Sequence, residues 1–311
     1  MKAFMIGAGD IAKSHARAVE KLGGSIVGAF DVSENALNSF TREFYCDSVS
    51  YEQIPEYVEK AEYVVISTPP TKRLDYVEMV LSKHVPLYLE KPIATTVEDE
   101  EKIVEMAKKY DGKIIVGFAH RFRPAFVKMH EMVKSGMFGE PVNVFSYRVG
   151  PGYGYGKNNA IYGNSWRTDP KYACGMTIES VSHEFNLLTA LAGEFETIAC
   201  NVKGTMPSIP QYDTNSTMVM RCKNGAVASI MTSWSSGAGA NIGCVRHKKL
   251  LHMLVVYSIH RYNAKCKQKP RISPRLFEVT GHNSKTAVYE GSADSRRPLR
   301  GAPLRRSRRR T

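Results

Sequence analysis

The sequence lacks any apolar stretch long enough to cross a bilayer, although 43% of its 311 residues are hydrophobic. The apolar run at residues 3–6 is too short to be the core of a signal peptide. The six cysteines are scattered, without a Cys-x-x-Cys pair or a histidine at metal-ligand spacing. These absences argue against a membrane protein, a disulfide framework and a metal site. We therefore expect a cytoplasmic protein with free thiols.

Acidic residues are scarce at one end of the chain. Of its 43 Lys/Arg and 30 Asp/Glu, 18 and 3 lie from Cys244 onward, which leaves 25 and 27 in positions 1–243. The net charge of +13 therefore comes entirely from the tail. Because the first 243 residues are slightly acidic, the overall charge does not indicate a nucleic-acid-binding protein.

The tail, residues 244–311, has two interpretations. It shows neither strand alternation nor a final amphipathic helix, and it ends in an arginine-rich run. We favour the hypothesis that this atypical segment is translated from a shifted reading frame. The alternative is a basic arm that binds nucleic acid or another polyanion, which we favour less because the tail contains no recognisable binding module.

Strand and helix patterns alternate in the first third of the chain. Apolar runs without polar alternation, typical of parallel strands covered on both faces, occur at residues 3–6, 25–30, 63–66, 86–89 and 113–116. Helical patterns lie between them at residues 33–44, at 73–83, and from a capping-box pattern at 95–98 to about 112. We predict a doubly wound parallel sheet over residues 1–119 and, because 311 residues exceed one core, a second domain over 120–311.

A glycine-rich turn follows the first apolar run. Gly7-Ala8-Gly9-Asp10-Ile11-Ala12 has the spacing Gly-x-Gly-x-x-Ala, in which the glycines let the backbone approach a pyrophosphate at the positive end of the next helix. Asp31 follows the second run and is suitably placed to accept hydrogen bonds from the adenosine ribose. Its carboxylate repels a 2′-phosphate, so we predict NAD in preference to NADP. The motif alone is also compatible with a purely structural turn.

Other strand ends carry polar residues, and ligands of such sheets bind beyond the carboxyl ends of the strands. Ser67-Thr68-Pro69 follows one run and Glu90-Lys91-Pro92 follows the next. For Lys91 the alternative is a surface ion pair with Glu90, but its position at a strand end before proline favours a site residue. We expect His15 to pack under the glycine-rich turn. The predicted cofactor-binding residues are Gly7, Gly9, Asp10, Ile11, Asp31, Ser67, Thr68, Pro69, Glu90 and Lys91.

The pattern changes in the second half of the chain. Residues 141–149 alternate as a strand does, and Lys223-Asn224-Gly225 joins two further strand patterns in a hairpin. We therefore predict an α/β domain with an open, largely antiparallel sheet.

A helical pattern between Gly175 and Gly193 carries Glu179, His183 and Asn186. Their spacing of i, i+4 and i+7 puts the three polar side chains along one face of an α-helix. A histidine with a carboxylate one turn away can act as an oriented proton acceptor. The alternative is that Glu179 and His183 form an ordinary i,i+4 pair on the surface. The pattern of this helix, taken by itself, favours that alternative.

Taken together, residues 7–12, Glu90-Lys91-Pro92-Ile93-Ala94 and Glu179-x-x-x-His183-x-x-Asn186 resemble the glucose-fructose oxidoreductase, inositol dehydrogenase and rhizopine catabolism (Gfo/Idh/MocA) family, over about residues 1–243. The resemblance implies a Rossmann domain followed by an open-sheet domain. It also implies hydride transfer between nicotinamide and a sugar, polyol or related hydroxyl or carbonyl carbon. The family usually has Asp at the position of Glu179 and often at that of Asn186.

The resemblance implies that Lys91 binds the reacting oxygen and that His183 is the principal acid/base, with Glu179 as the third catalytic residue. Oxidation of a carbinol carbon requires the hydroxyl proton to leave, so a base and a cation that stabilises the developing alkoxide are both useful. The expected substrate-pocket residues are Arg121, Trp166, Arg167 and Asn186. For the two arginines, simple ion pairing is an equal alternative.

The partners follow from the same resemblance. We expect NAD as cofactor, a small sugar- or polyol-like substrate, and a homo-oligomer assembled through the open sheet if the C-terminus folds. We expect no metal and no membrane or nucleic-acid partner. The alternative function is a catalytically idle, nucleotide-binding regulatory protein of the same fold, since fold does not guarantee turnover. The presence of both Lys91 and His183 favours the enzyme.

Overall fold

The computed structural model describes residues 1–137, 139–151, 169, 172, 174–205, 212–247 and 253–260. The strands are β1 (Lys2–Ile6), β2 (Ser25–Phe30), β3 (Asp47–Ser48), β4 (Tyr63–Ile66), β5 (Leu87–Leu89), β6 (Ile114–Val116), β7 (Pro141–Pro151), β8 (Phe195–Lys203), β9 (Asn215–Cys222), β10 (Val227–Ser233), β11 (Ser235–His247) and β12 (Met253–His260). The α-helices are α1 (Asp10–Lys21), α2 (Glu34–Phe44), α3 (Ile54–Lys60), α4 (Leu74–Leu81), α5 (Val97–Lys109), α6 (Pro124–Lys134) and α7 (Ser182–Ala192). Short 3₁₀ helices span Tyr51–Gln53, Pro70–Lys72 and Ala119–Phe122, and a π-helical turn spans Thr177–Val181.

The first six strands form one parallel sheet in the order β3-β2-β1-β4-β5-β6, which confirms the predicted doubly wound arrangement. In β1, Phe4 and Ile6 enter one core while Ala3 and Met5 enter the other. Both faces of this strand are buried, which explains why its sequence is apolar without alternation. The two-residue strand β3 was not predicted, because it is too short and too exposed to give an apolar run.

Helices α2 and α5 each begin at a side-chain cap. Ser33 accepts a hydrogen bond from the backbone N–H of Ala36, at 3.3 Å, at the start of α2. Thr96 accepts one from Asp99, at 3.2 Å, at the start of α5. The predicted capping box at residues 95–98 was therefore one residue early, because Thr96 and not Thr95 is the capping residue.

The second sheet has the order β12-β11-β7-β10-β9-β8, and only the β7–β10 pair among these described strands is parallel. This confirms the largely antiparallel sheet. Along β9 and β10 buried and exposed residues alternate, so one face supplies core residues such as Met218, Met220 and Ile230. Leu188 and Leu191 of α7 belong to the same core. The sheet thereby holds the helix that carries His183.

Strands continue beyond Gly243, where the sequence predicted none. β11 runs to His247, and β12 pairs with it in antiparallel orientation. The sequence of β12 contains Leu254-Val255-Val256, residue types that favour strands, and β11 offers it an edge. The absence of strands was therefore a wrong expectation for residues 244–247 and 253–260. Residues 261–311 lie outside the described residues, and the shifted reading frame stays a hypothesis.

None of the helices described is both long enough and apolar enough to pass through a lipid bilayer.

The core of the second domain provides a test of the fold. Phe126 of α6 is 1% exposed, whereas Phe122, one turn earlier, is 79% exposed. We expect Phe126→Ala to lower the free energy of unfolding by about 3–5 kcal/mol, because it removes a fully packed ring and leaves a cavity. The matched control Phe122→Ala removes the same atoms from the surface and should change it by less than about 0.5 kcal/mol. Urea unfolding followed by circular dichroism measures both, and equal losses would contradict this packing.

Candidate active site

The glycine-rich turn joins the carboxyl end of β1 to α1. Gly7 has φ +101°, and a Cβ on it would lie 3.0 Å from atoms of Ser67 and Thr68, so this position requires glycine. Gly9 is the N-cap of α1, and a Cβ on it would enter open space. Within the described part of the chain no side chain caps this helix start. Its first N–H groups and the positive helix end are therefore available to a phosphate.

Asp31 lies beside this turn at the end of β2. Its Oδ2 accepts a hydrogen bond from the backbone N–H of Ala8 at 2.7 Å, and its Oδ1 accepts one from Ser33 at 2.8 Å. Each carboxylate oxygen has a second lone pair that can accept a ribose hydroxyl. The predicted residues Asp10 and Ile11 lie in the first turn of α1 and are exposed.

The loop after β4 closes the other side of the turn. The Ser67 hydroxyl donates to the Gly7 carbonyl at 3.3 Å. The Oγ1 atom of Thr68 is buried and has no hydrogen-bond partner among the described residues. Buried hydroxyls are normally paired, so this orphan is suited to a bound ligand. The open space at Gly9, the unpaired helix start, Asp31 and Thr68 together fit a dinucleotide.

Glu90, at the end of β5, is 8% exposed and connects three elements. Its Oε1 accepts a hydrogen bond from Nε2 of His15, at 2.8 Å, and its Oε2 accepts one from the backbone N–H of Lys91, at 3.1 Å. A Cβ on Gly117 would lie 2.9 Å from Oε1, so the missing side chain there makes room for the carboxylate. His15 was expected to pack under the turn. The ring of His15 lies edge-on to that of Tyr88, with the ring centroids 4.8 Å apart.

Lys91 reaches from the first domain to the second. Its Nζ donates a hydrogen bond to the backbone carbonyl of Glu179 at 2.7 Å, and the Lys91–Pro92 peptide bond is cis. Glu179 lies in the π-helical turn Thr177–Val181. The wider hydrogen-bond spacing of a π-helix changes which carbonyls are presented to neighbours, and such turns are common at functional sites. The ammonium group is thereby fixed next to the start of α7.

The Glu179 carboxylate points elsewhere and is 3% exposed. Its Oε1 accepts a hydrogen bond from the hydroxyl of Tyr212 at 3.4 Å and a weak one from the Cys174 thiol at 3.8 Å. The sequence placed Glu179, His183 and Asn186 on one α-helical face. The π-turn alters that register, and sequence periodicity could not reveal it.

His183 is 8% exposed and lies in a stack that the sequence did not predict. His120, from the 3₁₀ turn after β6, stacks on it with ring centroids 4.0 Å apart and an angle of 17° between the planes. Arg123 donates to Nε2 of His120 at 2.9 Å. Burial lowers the pKa of His183 to about 2 and that of His120 to about 3, assisted by the charges of Lys91, Arg123 and Arg148. Both rings are therefore neutral at neutral pH.

A further ion pair lies near the histidines. Arg148 of β7 lies 3.3 Å from a carboxylate oxygen of Glu184, which is 5% exposed. Burial raises the pKa of Glu184, and the guanidinium partly offsets this rise. Removing either partner would leave a buried charge without compensation.

Two of the four predicted substrate-pocket residues, Arg121 and Asn186, lie in the described part of the chain. The exposed Arg121 donates to the backbone carbonyl of Asn186 at 3.2 Å. The side-chain oxygen of Asn186 is buried and has no partner among the described residues. Trp166 and Arg167 lie outside the described residues.

Arg73 is a further buried residue beside this site, and its sequence position gave no sign of it. This residue precedes α4 and is 3% exposed. Its guanidinium donates to the carbonyls of Thr68, Glu90 and Pro92. The helical pattern at residues 73–83 gave no indication of these contacts, because they join loops distant in sequence.

Two family models match this chain. Residues 1–118 match "Oxidoreductase family, NAD-binding Rossmann fold", and residues 126–248 match "GFO/IDH/MocA C-terminal domain".

The chain is also similar to individual dehydrogenases and to solved oxidoreductase structures. The chain is 25% identical to glucose-6-phosphate 3-dehydrogenase of Bacillus subtilis over 263 residues, 80% of this chain and 73% of that enzyme. It is 31% identical to inositol 2-dehydrogenase of Acidothermus cellulolyticus over 146 residues, which cover 44% of this chain and less than half, 42%, of that enzyme. A solved oxidoreductase from Thermotoga maritima superposes with a TM-score of 0.72 at 25% identity, covering 83% of this chain and 78% of that one.

The first family model spans the strands of the parallel sheet and includes Lys91, and the second spans β7 to β11 and includes His183. The chain therefore belongs to the Gfo/Idh/MocA family of oxidoreductases.

Proposed function

We propose that this protein is an NAD-dependent dehydrogenase that oxidises a CH–OH group of a sugar- or polyol-like substrate, or reduces the corresponding carbonyl. The observation that carries the proposal is the 2.7 Å contact of Lys91 Nζ with the Glu179 carbonyl. It brings a cation at the end of β5 to the turn that leads into His183. The names of two relatives refer to a sugar phosphate and a polyol, which supports this substrate class.

We assign the cofactor site to the carboxyl ends of the parallel strands. The start of α1 would hold the pyrophosphate, Asp31 the adenosine ribose, and Ser67, Thr68, Pro69 and Glu90 the groups nearer the nicotinamide. When bound, NAD supplies the hydride acceptor.

Residues of this chain stabilise the reacting oxygen and accept the proton of the substrate hydroxyl. The Lys91 ammonium donates a hydrogen bond to the reacting oxygen and stabilises the negative charge that develops there. His183 is neutral, which is the form that accepts the hydroxyl proton. Glu179 orients this site through its carbonyl, and Asn186 and Arg121 line its edge.

The proposal is tested by turnover of NAD or NADP with a panel of sugars, sugar phosphates and polyols. We expect Lys91→Met and His183→Asn each to lower kcat/KM by about 10²–10⁴-fold, with NAD affinity retained. The control Lys109→Met removes a lysine whose side chain is 63% exposed and should leave turnover unchanged. Tight NAD binding without turnover of any substrate would instead support the catalytically idle regulatory protein.

Cofactor preference tests Asp31 separately. We expect Asp31→Asn to lower the ratio of kcat/KM for NAD to that for NADP by about tenfold or more, since loss of about 1.4 kcal/mol of discrimination has this effect. The physical reason is that the variant no longer repels a 2′-phosphate. Asp47→Asn, an exposed carboxylate on β3, is the control. An unchanged ratio in Asp31→Asn would show that another group selects the cofactor.

We further propose that two copies associate through the outer face of the second sheet. Val219, Val227 and Met231 are 53%, 43% and 49% exposed there, opposite the core face that carries Met218 and Met220. Exposed apolar side chains gathered on one sheet face are typical of a surface that another protein covers.

This association predicts a change in oligomeric state. Val219→Glu puts a charge on the proposed interface and should convert the dimer to a monomer in sedimentation velocity. Val104→Glu, at a 48% exposed position on α5, should leave the dimer intact. A wild-type monomer at the same concentration would rule out the interface.

The cytoplasm is the location that we propose. The described cysteines Cys46, Cys174, Cys200 and Cys222 are free thiols, the state that a reducing compartment maintains.

A further inference from the structure

Arg73 is the most deeply buried cation among the described residues, with 3% exposure. Its Nε and Nη2 donate to the carbonyl oxygen of Thr68 at 3.0 and 2.7 Å. Its Nη1 donates to the carbonyls of Glu90 and Pro92. One side chain thus joins the loop after β4 to both neighbours of Lys91 in the chain.

These three carbonyls need such a donor. β4 ends at Ile66 and β5 ends at Leu89, so the carbonyls of Thr68, Glu90 and Pro92 lie beyond the regular ladder of the sheet. A buried carbonyl left unpaired costs about 1–3 kcal/mol. Arginine carries five N–H donors in a planar fork and can serve several acceptors at once.

The charge is retained despite burial. Burial lowers the pKa of Arg73 to about 10, and the nearby Glu90 carboxylate opposes this effect. The guanidinium is therefore protonated at neutral pH. A charged donor forms stronger hydrogen bonds than a neutral one, which suits a group that must fix three backbone segments.

We propose that Arg73 is a positioning residue for Lys91: by holding the carbonyls on both sides of Lys91, it fixes the backbone from which the ammonium group reaches the Glu179 carbonyl and the reacting oxygen. This inference rests on the proposed function for its kinetic consequence. The placement of Lys91 is a property of the protein itself and can be measured without turnover.

Lysine cannot replace arginine in this role. Its ammonium group is a compact charge with three donors and lacks the planar fork that spans the two loops. Arg73→Lys therefore keeps the charge and removes the bridge. A purely structural role would lower the melting temperature and leave the folded protein with normal chemistry at Lys91. A positioning role changes Lys91 in the folded protein.

The first experiment compares wild type, Arg73→Lys and the control Arg42→Lys, which alters an exposed arginine of α2. Reductive methylation with formaldehyde and cyanoborohydride as the reductant, read by mass spectrometry well below the melting temperature, reports the reactivity of Lys91. We expect Lys91 to be methylated several-fold faster in Arg73→Lys only, because its ammonium group is no longer held on the Glu179 carbonyl. Equal methylation in all three folded proteins overturns the proposal, whether or not any substrate is turned over.

The second experiment is kinetic. We expect Arg73→Lys to lower kcat on the order of 10²-fold, the effect of misplacing a catalytic group by about 1 Å, with the substrate KM changed by less than about threefold. Unchanged kcat, or a change confined to KM, overturns the proposal. A wild type without turnover on the substrate panel would refute the proposed function alone, because the methylation result stands independently.

If Arg73→Lys does not fold, Arg73→Ala with added methylguanidinium replaces it. We expect methylguanidinium, and not tetramethylammonium, which cannot itself be methylated, to restore both the wild-type methylation rate of Lys91 and turnover. Restored folding without restored protection of Lys91 overturns the proposal.

Discussion

Parallel pairing of β1, β2, β4 and β5 is the constraint on which the rest of the structure depends. The carboxyl ends of parallel strands lie at the same edge of the sheet. The segments that follow these four strands are distant in sequence, but the strand pairing brings them together at that edge. The backbone N–H groups of Gly7, Ser67 and Glu90 each extend the ladder by one bond, to Phe30, Ile6 and Ile66 at 2.8, 2.8 and 3.0 Å. The residues of the first domain that we assign to the cofactor or to the reacting oxygen lie at, or just after, these strand ends.

The second constraint is the burial of polar groups at the junction of the two domains. Charged or titratable side chains there are costly unless they are paired or neutral. Arg73 is surrounded by carbonyls, Glu184 has Arg148, and the two stacked histidines are neutral. Desolvation keeps His183 in the neutral form that has a free lone pair for a proton, and it also lowers the affinity of the ring for that proton.

The sequence predicted most of the features that depend on local pattern. The glycine spacing, Asp31, and Lys91 before a proline are each recognisable within a few residues, and alternation revealed β7 and the β9–β10 hairpin. The missed features depend on contacts between distant segments. Arg73 looked like an ordinary helix residue, and His120 became informative only when its ring was seen on His183. β3 is too short for a pattern, and a π-turn has no simple sequence signature.

The π-helical turn at Thr177–Val181 has a consequence for how this site tolerates change. A turn with i→i+5 hydrogen bonds holds more residues than an α-helical one, and so it sets the rotation of the helix that follows. His183 faces His120 because of the number of residues in that turn as well as their identity. Deleting one residue there would keep every site residue and still rotate the imidazole by about 100° around the helix axis. At this position, insertions and deletions matter more than substitutions do.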